Sequence, residues 1–271
     1  MSSSTATFSY GEDLTLAHRL ADAADAITLK RYQALDLKVT TKPDNTPVTD
    51  ADKSTEEAIR ALLHAHRPDD GIVGEEFGNE GVEKVRYWVI DPIDGTKNFL
   101  RGVPTWATLI ALVERSSDGA QQTVVSVVSA PALFRRWYAH KGGGAFVSLN
   151  HETPKKINVS GVSTIEDASI SYSDFAGWGE MLEPFKKLLD SAWRTRGYGD
   201  FWSHMLVAEG ALEVAVEPSL ALWDMAALDL IVTEAGGVFS NTDGVPGPHG
   251  GNGLSTNSYL HGDVVAALRK K

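Results

Sequence analysis

An apolar, strand-like run, Tyr87-Trp88-Val89-Ile90, leads directly into Asp91-Pro92-Ile93-Asp94-Gly95. Proline cannot donate to a sheet ladder, and Asp-Gly is a turn dipeptide. The strand is therefore expected to end at Asp91 and to leave two carboxylates at a sheet edge. In open α/β sheets, ligands bind where strands end. A bare turn would also explain the five residues, so the rest of the chain must decide.

Helical and strand patterns are interspersed throughout. Leu16, Leu20, Ala23, Ala24 and Ile27 recur at helical spacing within 12–35. The segment 41–47, with two prolines, must be a loop. Thr49 and Asp52 have the form of a capping box opening a helix to about His66, with Ile59, Leu62 and Leu63 on its apolar face. Apolar strands are expected near 107–114 and 122–129, and a hairpin around Gly142–Gly144. The second half alternates: a strand at 169–174, a helix over 178–190, a strand at 193–197, a helix over 202–210 and a strand at 213–217. A helix from Trp223 to Ala235 stops at Gly236-Gly237, before a strand at 238–240. The class is α/β (α+β). The division between lobes is expected near 148, giving 1–148 and 149–271 as two parts of one compact unit.

Acidic residues fall at the edges of these elements. Glu75 and Glu76 follow the short run Gly71-Ile72-Val73-Gly74, Asp52 lies in the first turn of one helix and Asp224 opens another. Taken singly, a cap, a dipole partner or a solvated pair explains each of these except Asp91 with Asp94. Taken together they have the composition of a hard-cation site, because Mg²⁺ prefers carboxylate and carbonyl oxygens with waters retained. In Asp-Pro-Ile-Asp, the Ile93 carbonyl falls between two carboxylates, an arrangement able to hold two metals sharing one aspartate. Thr96 would stand at a short helix N-terminus, where backbone N–H groups suit a phosphate.

Four segments, TKPDNTPVTDAD (41–52), GEEFG (74–78), WVIDPIDGTKNF (88–99) and LWDMAALDLIVTEAGG (222–237), resemble the signature motifs of the inositol monophosphatase family, and in the same order. The resemblance implies a layered αβαβα sandwich, shared with fructose-1,6-bisphosphatases, and a Mg²⁺-dependent phosphomonoesterase. Carried over residue by residue, it implies that Glu75, Asp91 and the Ile93 carbonyl hold a first metal, and that Asp91, Asp94 and Asp224 hold a second. Glu75 with Asp52 would reach a weaker third, so two or three ions are expected. Thr96 and Asp52 would orient and deprotonate the attacking water, with Glu75 alongside. The backbone N–H groups of Gly95 and Thr96 would bind phosphate. Glu76 would support the metal ligands from behind, and Lys42 would lie near a lid loop. A divalent cation makes water a usable nucleophile near neutral pH, and a second one stabilises the leaving alkoxide, so no covalent intermediate is needed. A homodimer is implied by analogy.

Substrate choice should lie upstream of Asp224. Inositol-specific relatives tend to carry small neutral residues after an arginine, whereas here Arg196 is followed by Gly197-Tyr198-Gly199-Asp200-Phe201-Trp202. Glu217, seven residues before Asp224, falls at the family's substrate-contacting acid. Arg196, Asp200 and Glu217 are thus expected to bind substrate, and two acids with aromatic surface suit a cationic group. The run RGYGDFW followed by LVAEG resembles the branch of the superfamily that hydrolyses histidinol phosphate. The competing explanation is that Asp200 merely caps the helix at 202–210. An inositol or sugar-phosphate phosphatase on the same scaffold is the second reading. A non-catalytic relative is the third, disfavoured because Thr96 and Asp52 are both intact.

Other chemistries fall away. With no cysteine, zinc–thiolate sites, disulfides and thiol nucleophiles are excluded. The spacing of Asp91 and Asp94 is one residue too long for the DxDGT of haloacid-dehalogenase-type phosphatases. No GK[ST] follows Gly142–Gly144 and no Gly-x-Ser-x-Gly occurs. His64 and His66 do not share a helix face. Trp106, close to Asp-Gly-Thr, is expected to be partly exposed. A net charge of −11, from 25 basic and 36 acidic residues, argues against nucleic acid and anionic membrane as partners. With no basic-then-apolar start and no long apolar segment, a soluble cytoplasmic protein is expected.

Overall fold

The computed structural model describes residues 9–41, 46–150 and 152–269. Its elements follow the sequence pattern closely. Helix α1 (Tyr10–Arg31) opens on a capping box formed by Ser9 and Glu12. Its buried face is Leu16, Ala17, Leu20, Ala21, Ala24 and Thr28, with Ile27 only half-buried. A short antiparallel pair, β1 (Val39–Thr41) and β2 (Pro47–Thr49), flanks the expected loop. Helix α2 (Asp50–His66) begins on Thr49, whose hydroxyl accepts from Ala51 and Asp52 while Asp52 accepts from the Thr49 N–H. The capping box is therefore formed as expected.

Next come β3 (Gly71–Gly74), β4 (Gly78–Glu80) and β5 (Arg86–Asp94), the short helix α3 (Thr96–Leu100), then β6 (Ala107–Arg115), β7 (Gln121–Ala130), β8 (Arg135–His140), β9 (Gly144–Leu149) and β10 (Lys155–Ile157). They make one eight-stranded sheet in the order β10-β9-β8-β7-β6-β5-β3-β4. It is antiparallel except for the β3–β5 pair. The sheet draws on residues up to Ile157, past the expected division at 148. The remainder forms β11 (Ser169–Ser171), α4 (Leu182–Ser191), β12 (Arg194–Arg196), α5 (Asp200–Ala208), β13 (Val214–Glu217), α6 (Leu222–Glu234), β14 (Val238–Ser240), β15 (Gly253–Thr256) and α7 (His261–Arg269). The second sheet has the order β12-β11-β13-β15-β14.

Side-chain clusters define the layers. On one face of the large sheet, Leu16, Leu20, Ile59 and Leu63 from α1 and α2 bury Trp88, Ile90, Ile110 and Leu112. On the other face, Met205 and Phe201 of α5 and Met225, Leu228 and Ile231 of α6 pack on Val89, Leu109, Ala111 and Trp137. Beneath α5, Val207 meets Ala215 of the small sheet. The far face of the small sheet, with Ile170, Val214, Val216 and Leu254, is covered by Phe185 and Leu188 of α4 and Val264 and Leu268 of α7. The result is helices, sheet, helices, sheet, helices, the expected αβαβα sandwich. Because α6 is the central layer, it is apolar nearly all round, which is why its sequence shows little one-sided periodicity.

The segment around Pro92 differs from expectation. The strand does not stop at Asp91; β5 continues to Asp94, with a register shift against β6. Asp91 pairs with Leu109 and Asp94 with Ala107, so three steps on β5 oppose two on β6. This is a β-bulge of one extra residue, one of the few places a sheet interior accepts proline. The buried Thr108 hydroxyl donates to the Pro92 carbonyl at 2.8 Å and satisfies a group that the broken ladder leaves over. Trp106 is fully buried against Phe99 and Tyr32 and is not exposed as expected. Among the described residues, no helix is long and apolar enough to cross a membrane.

Candidate active site

The bulge decides the chemistry. In a regular strand, residues three apart point to opposite faces. The extra residue restores Asp94 to the side of Asp91, and α6 brings Asp224 to meet them. Carboxylate oxygens of the three lie within 4.8 Å of one another. Each carboxylate is aimed by a backbone N–H. Ile93 donates to Asp91 Oδ1 at 2.9 Å, Phe201 to Asp94 Oδ2 at 2.7 Å and Ala221 to Asp224 Oδ2 at 2.7 Å.

Such crowding raises proton affinity. Burial, followed by the charges of Glu75, Asp94 and Asp224, pushes Asp91 well above the usual carboxylate range. Burial, followed by Asp200 and Asp224, does the same to Asp94. Burial lifts Asp224 to about 6, with Glu75 adding to the shift. Asp52 also rises to about 6 through burial, against the hydrogen bonds from Thr49. Its Oδ2 accepts from the Thr49 N–H at 2.8 Å and the Thr49 hydroxyl at 2.6 Å. Its Oδ1 is buried without a hydrogen-bond partner. Three convergent carboxylates, linked through Glu75 to a buried carboxylate oxygen without a donor, are the donor set a hard divalent cation fits.

Glu75 is positioned by Glu56, a residue the sequence reading missed. Glu56 is fully buried on α2 and accepts from the N–H groups of Glu76 at 2.7 Å and Phe77 at 3.2 Å, and from Arg60 Nε at 2.8 Å. It thereby holds the turn after β3, and a Cβ on Gly74 would overlap its carboxylate. Its only sequence trace is the i,i+4 spacing to Arg60. Glu75 interacts with both Asp52 and Asp91, and the next residue, Glu76, is held through its N–H on Glu56.

Gly95 has φ +80° and forms the N-cap of α3. A Cβ there would stand 2.9 Å from the Thr105 carbonyl and 3.3 Å from Asp200 Oδ2, so glycine is required twice over. The Thr96 hydroxyl donates to the Ile93 carbonyl at 2.9 Å. The hydroxyl on Asp52 is that of Thr49, not Thr96.

Asp200 does not cap a helix. It is the first residue of α5, the N-cap is Gly199, and both residues have positive φ, +49° and +72°. Its carboxylate instead accepts from Asn98 Nδ2 at 3.1 Å and rises to about 6 through burial, moderated by Lys97. Glu217 is buried on β13, accepts from the Ser173 hydroxyl at 2.8 Å, and is pushed by burial to about 8. Arg196 is not brought to these acids. It is exposed on β12, and its Nη1 donates to the Thr195 carbonyl at 2.7 Å. Lys42 lies outside the described residues.

Residues 10–271 match the inositol monophosphatase family. The chain belongs to the inositol monophosphatase family. Like the family, it is a phosphatase acting on small phosphate esters, and the family's dependence on metal agrees with the donor set described above. The histidinol-phosphatase of Streptomyces coelicolor is 55% identical over 264 residues, covering 97% of this chain and 98% of that one. The histidinol-phosphatase of Mycobacterium tuberculosis is 52% identical, covering 95% and 98%. Among solved structures, the extragenic suppressor protein SuhB of Bartonella henselae superposes with a TM-score of 0.85 at 28% identity, covering 96% of this chain and 99% of that one. An inositol monophosphatase from Zymomonas mobilis superposes at 0.83 and 32% identity, covering 97% and 100%. The family member described here therefore combines an inositol monophosphatase scaffold with close sequence similarity to phosphatases named for another substrate.

Proposed function

We propose that this phosphatase hydrolyses L-histidinol phosphate to L-histidinol and phosphate with Mg²⁺. The observation that carries the substrate choice is the Asp200 carboxylate, whose Oδ2 lies 3.3 Å from where a Cβ on Gly95 would stand. Gly95 and Thr96 are the phosphate-binding backbone of the proposal. A carboxylate so near a phosphate would repel it unless the substrate itself carries a cation close to the ester. Histidinol phosphate does, with an amine on the carbon next to the ester carbon. Glu217, protonated up to about pH 8, is suited to hydrogen-bond an imidazole. The two relatives above 50% identity, both described as histidinol-phosphatases, support the same reading.

In this reading Glu75, Asp91, the Ile93 carbonyl, Asp94, Asp224 and Asp52 hold two or three Mg²⁺ ions. When bound, these cations neutralise phosphate charge and lower the pKa of the attacking water. The protein's own part is positioning. Backbone N–H groups fix the carboxylates, Asp52 with its unpartnered Oδ1 accepts a proton from water, Thr96 orients that water through its remaining lone pairs, and the Gly95 turn receives the phosphate. The metal motifs belong to the lobe 1–148 and the specificity residues with Asp224 to 149–271, so catalysis occurs between the lobes. The family resemblance also supports a homodimer in the cytoplasm.

The test is phosphate release from L-histidinol phosphate and from myo-inositol 1-phosphate, with and without Mg²⁺. The expected result is a clear preference for the histidinol ester that chelation abolishes. Preference for the inositol ester would replace this reading with an inositol monophosphatase. Release from neither would favour a non-catalytic relative.

A further inference from the structure

Asp200 is held at two points by residues with no assigned role. Asn98, on α3, donates from Nδ2 to Asp200 Oδ2 at 3.1 Å and to the Thr105 carbonyl at 3.0 Å. Ser173, just beyond β11, accepts the Asp200 N–H on its hydroxyl oxygen at 3.2 Å and donates its own proton to Glu217 Oε1 at 2.8 Å. The two acids assigned to the substrate's cationic end are thus joined through one hydroxyl. The next N–H, of Phe201, goes to Asp94 Oδ2. Successive amides at the start of α5 therefore tie the specificity acid to Ser173 and the metal cluster to the same turn.

The clamp also fixes an unfavourable backbone. Asp200 is left-handed at φ +49°, after Gly199 at +72°. A Cβ on Gly199 would stand 2.9 Å from the Ser173 hydroxyl oxygen. An L-residue seldom takes this conformation unless its surroundings impose it. Asn98 and Ser173 are the side chains that do so here, one on the carboxylate and one on the amide. Ser173 itself is an exposed residue, while its hydroxyl is engaged with both Glu217 and the Asp200 N–H.

We infer that Asn98 and Ser173 are positioning residues for substrate charge selectivity: they hold Asp200 beside the phosphate cradle, where it reads an ammonium adjacent to the ester carbon. This rests on the proposed cationic substrate. Neither residue touches the reacting atoms. Without Asn98 the carboxylate swings away from Gly95, and without Ser173 the left-handed turn relaxes and uncouples Asp200 from Glu217.

The experiment measures kcat/KM for L-histidinol phosphate and for the imidazolyl-propyl phosphate that lacks the amine, in the full chain with saturating Mg²⁺. The readout is the ratio of the two, which general loss of structure does not move. Asn98→Ala and Ser173→Ala are each expected to lower the ratio by about tenfold, the scale of a lost hydrogen bond to a charged group. Asp200→Asn should lower it at least as far. Because both act through Asp200, adding Asn98→Ala or Ser173→Ala to Asp200→Asn should shift the ratio no further. A ratio unchanged in both single variants, or lowered further in either double variant, overturns the inference. A wild-type enzyme with no preference for the amino ester would instead overturn the cationic-substrate reading beneath it.

Discussion

The N–H of Phe201 donates to Asp94 Oδ2 at 2.7 Å across 107 residues of sequence. A carboxylate of the acidic cluster is thus aimed by the first turn of α5, whose leading residue is Asp200. In the proposed reading, metal binding and substrate choice would share that one turn of backbone.

Asp91 belongs to both of the proposed metal sites. Asp91→Asn should cut Mg²⁺-dependent phosphate release by about a thousandfold or more, a loss of several kcal/mol in transition-state stabilisation. Steady-state kinetics with titrated Mg²⁺ checks this. Near-normal turnover in the variant would remove Asp91 from the metal site.

The crowded acids make stability depend on pH and metal together. A carboxyl whose pKa is raised by folding holds its proton more tightly in the folded state. Its contribution is complete below its unfolded pKa of about 4 and is lost as pH rises through the folded value. For Asp52 and Asp224 that value is about 6, so the metal-free protein should lose stability across this window. Mg²⁺ binds the deprotonated cluster and offsets the repulsion. At about a hundred times Kd the linkage is worth roughly 2.7 kcal/mol, or several degrees of Tm. Thermal melts at about pH 5 and about pH 8 should show a larger Mg²⁺-induced rise at the higher pH. Equal rises at both would contradict the assignment.

Glu217 offers a separate window. Its pKa of about 8 makes it a stabilising neutral acid at lower pH, and that contribution is lost as pH rises through 8. In Glu217→Gln, the fall in Tm between about pH 6 and pH 8 should flatten. A slope matching wild type would mean that Glu217 titrates elsewhere.

Glu56→Ala should destabilise the protein by about 3 kcal/mol, because it leaves Arg60 and two amides of the Glu75 turn without their buried acceptor. Urea denaturation measures this. Glu56→Gln, which keeps the shape, should lose less. If the alanine variant loses neither stability nor Mg²⁺ affinity, Glu56 does not brace the turn.

Gly95→Ala places a Cβ 2.9 Å from the Thr105 carbonyl at a left-handed position. Roughly 1–2 kcal/mol of backbone strain is expected, in addition to the steric conflict. Both Tm and kcat/KM should fall. Wild-type values would show that the turn can relax freely.

Much of this was legible in the sequence. Asp52, Glu75, Asp91, Asp94 and Asp224 could be picked out because each sits next to a strand end or helix start, where local pattern is informative. The capping box of Thr49 and Asp52 formed as read. What stayed hidden were relationships set by tertiary packing. Pro92 signalled a turn, and only pairing with β6 shows that it sits in a bulge within a continuing strand. For Asp200, Gly-Asp before a helix left capping open as the competing explanation, and its left-handed φ carries no sequence mark. Glu56, Asn98 and Ser173 act across 20 to 102 residues of chain, beyond the reach of any periodicity. Trp106 stood close to the motif in sequence yet turned inward, since Tyr32 and Phe99 cover it.

Asp224 comes from α6, the central layer between the two sheets, and completes a carboxylate cluster whose other members are Asp91 and Asp94. During synthesis the earlier carboxylates emerge long before their last companion. A nascent or truncated chain ending before α6 lacks both the third carboxylate and the helix that covers the large sheet. The three-carboxylate cluster is therefore complete only in a chain made through α6, and a cation held there would bind tightly only once that helix has docked.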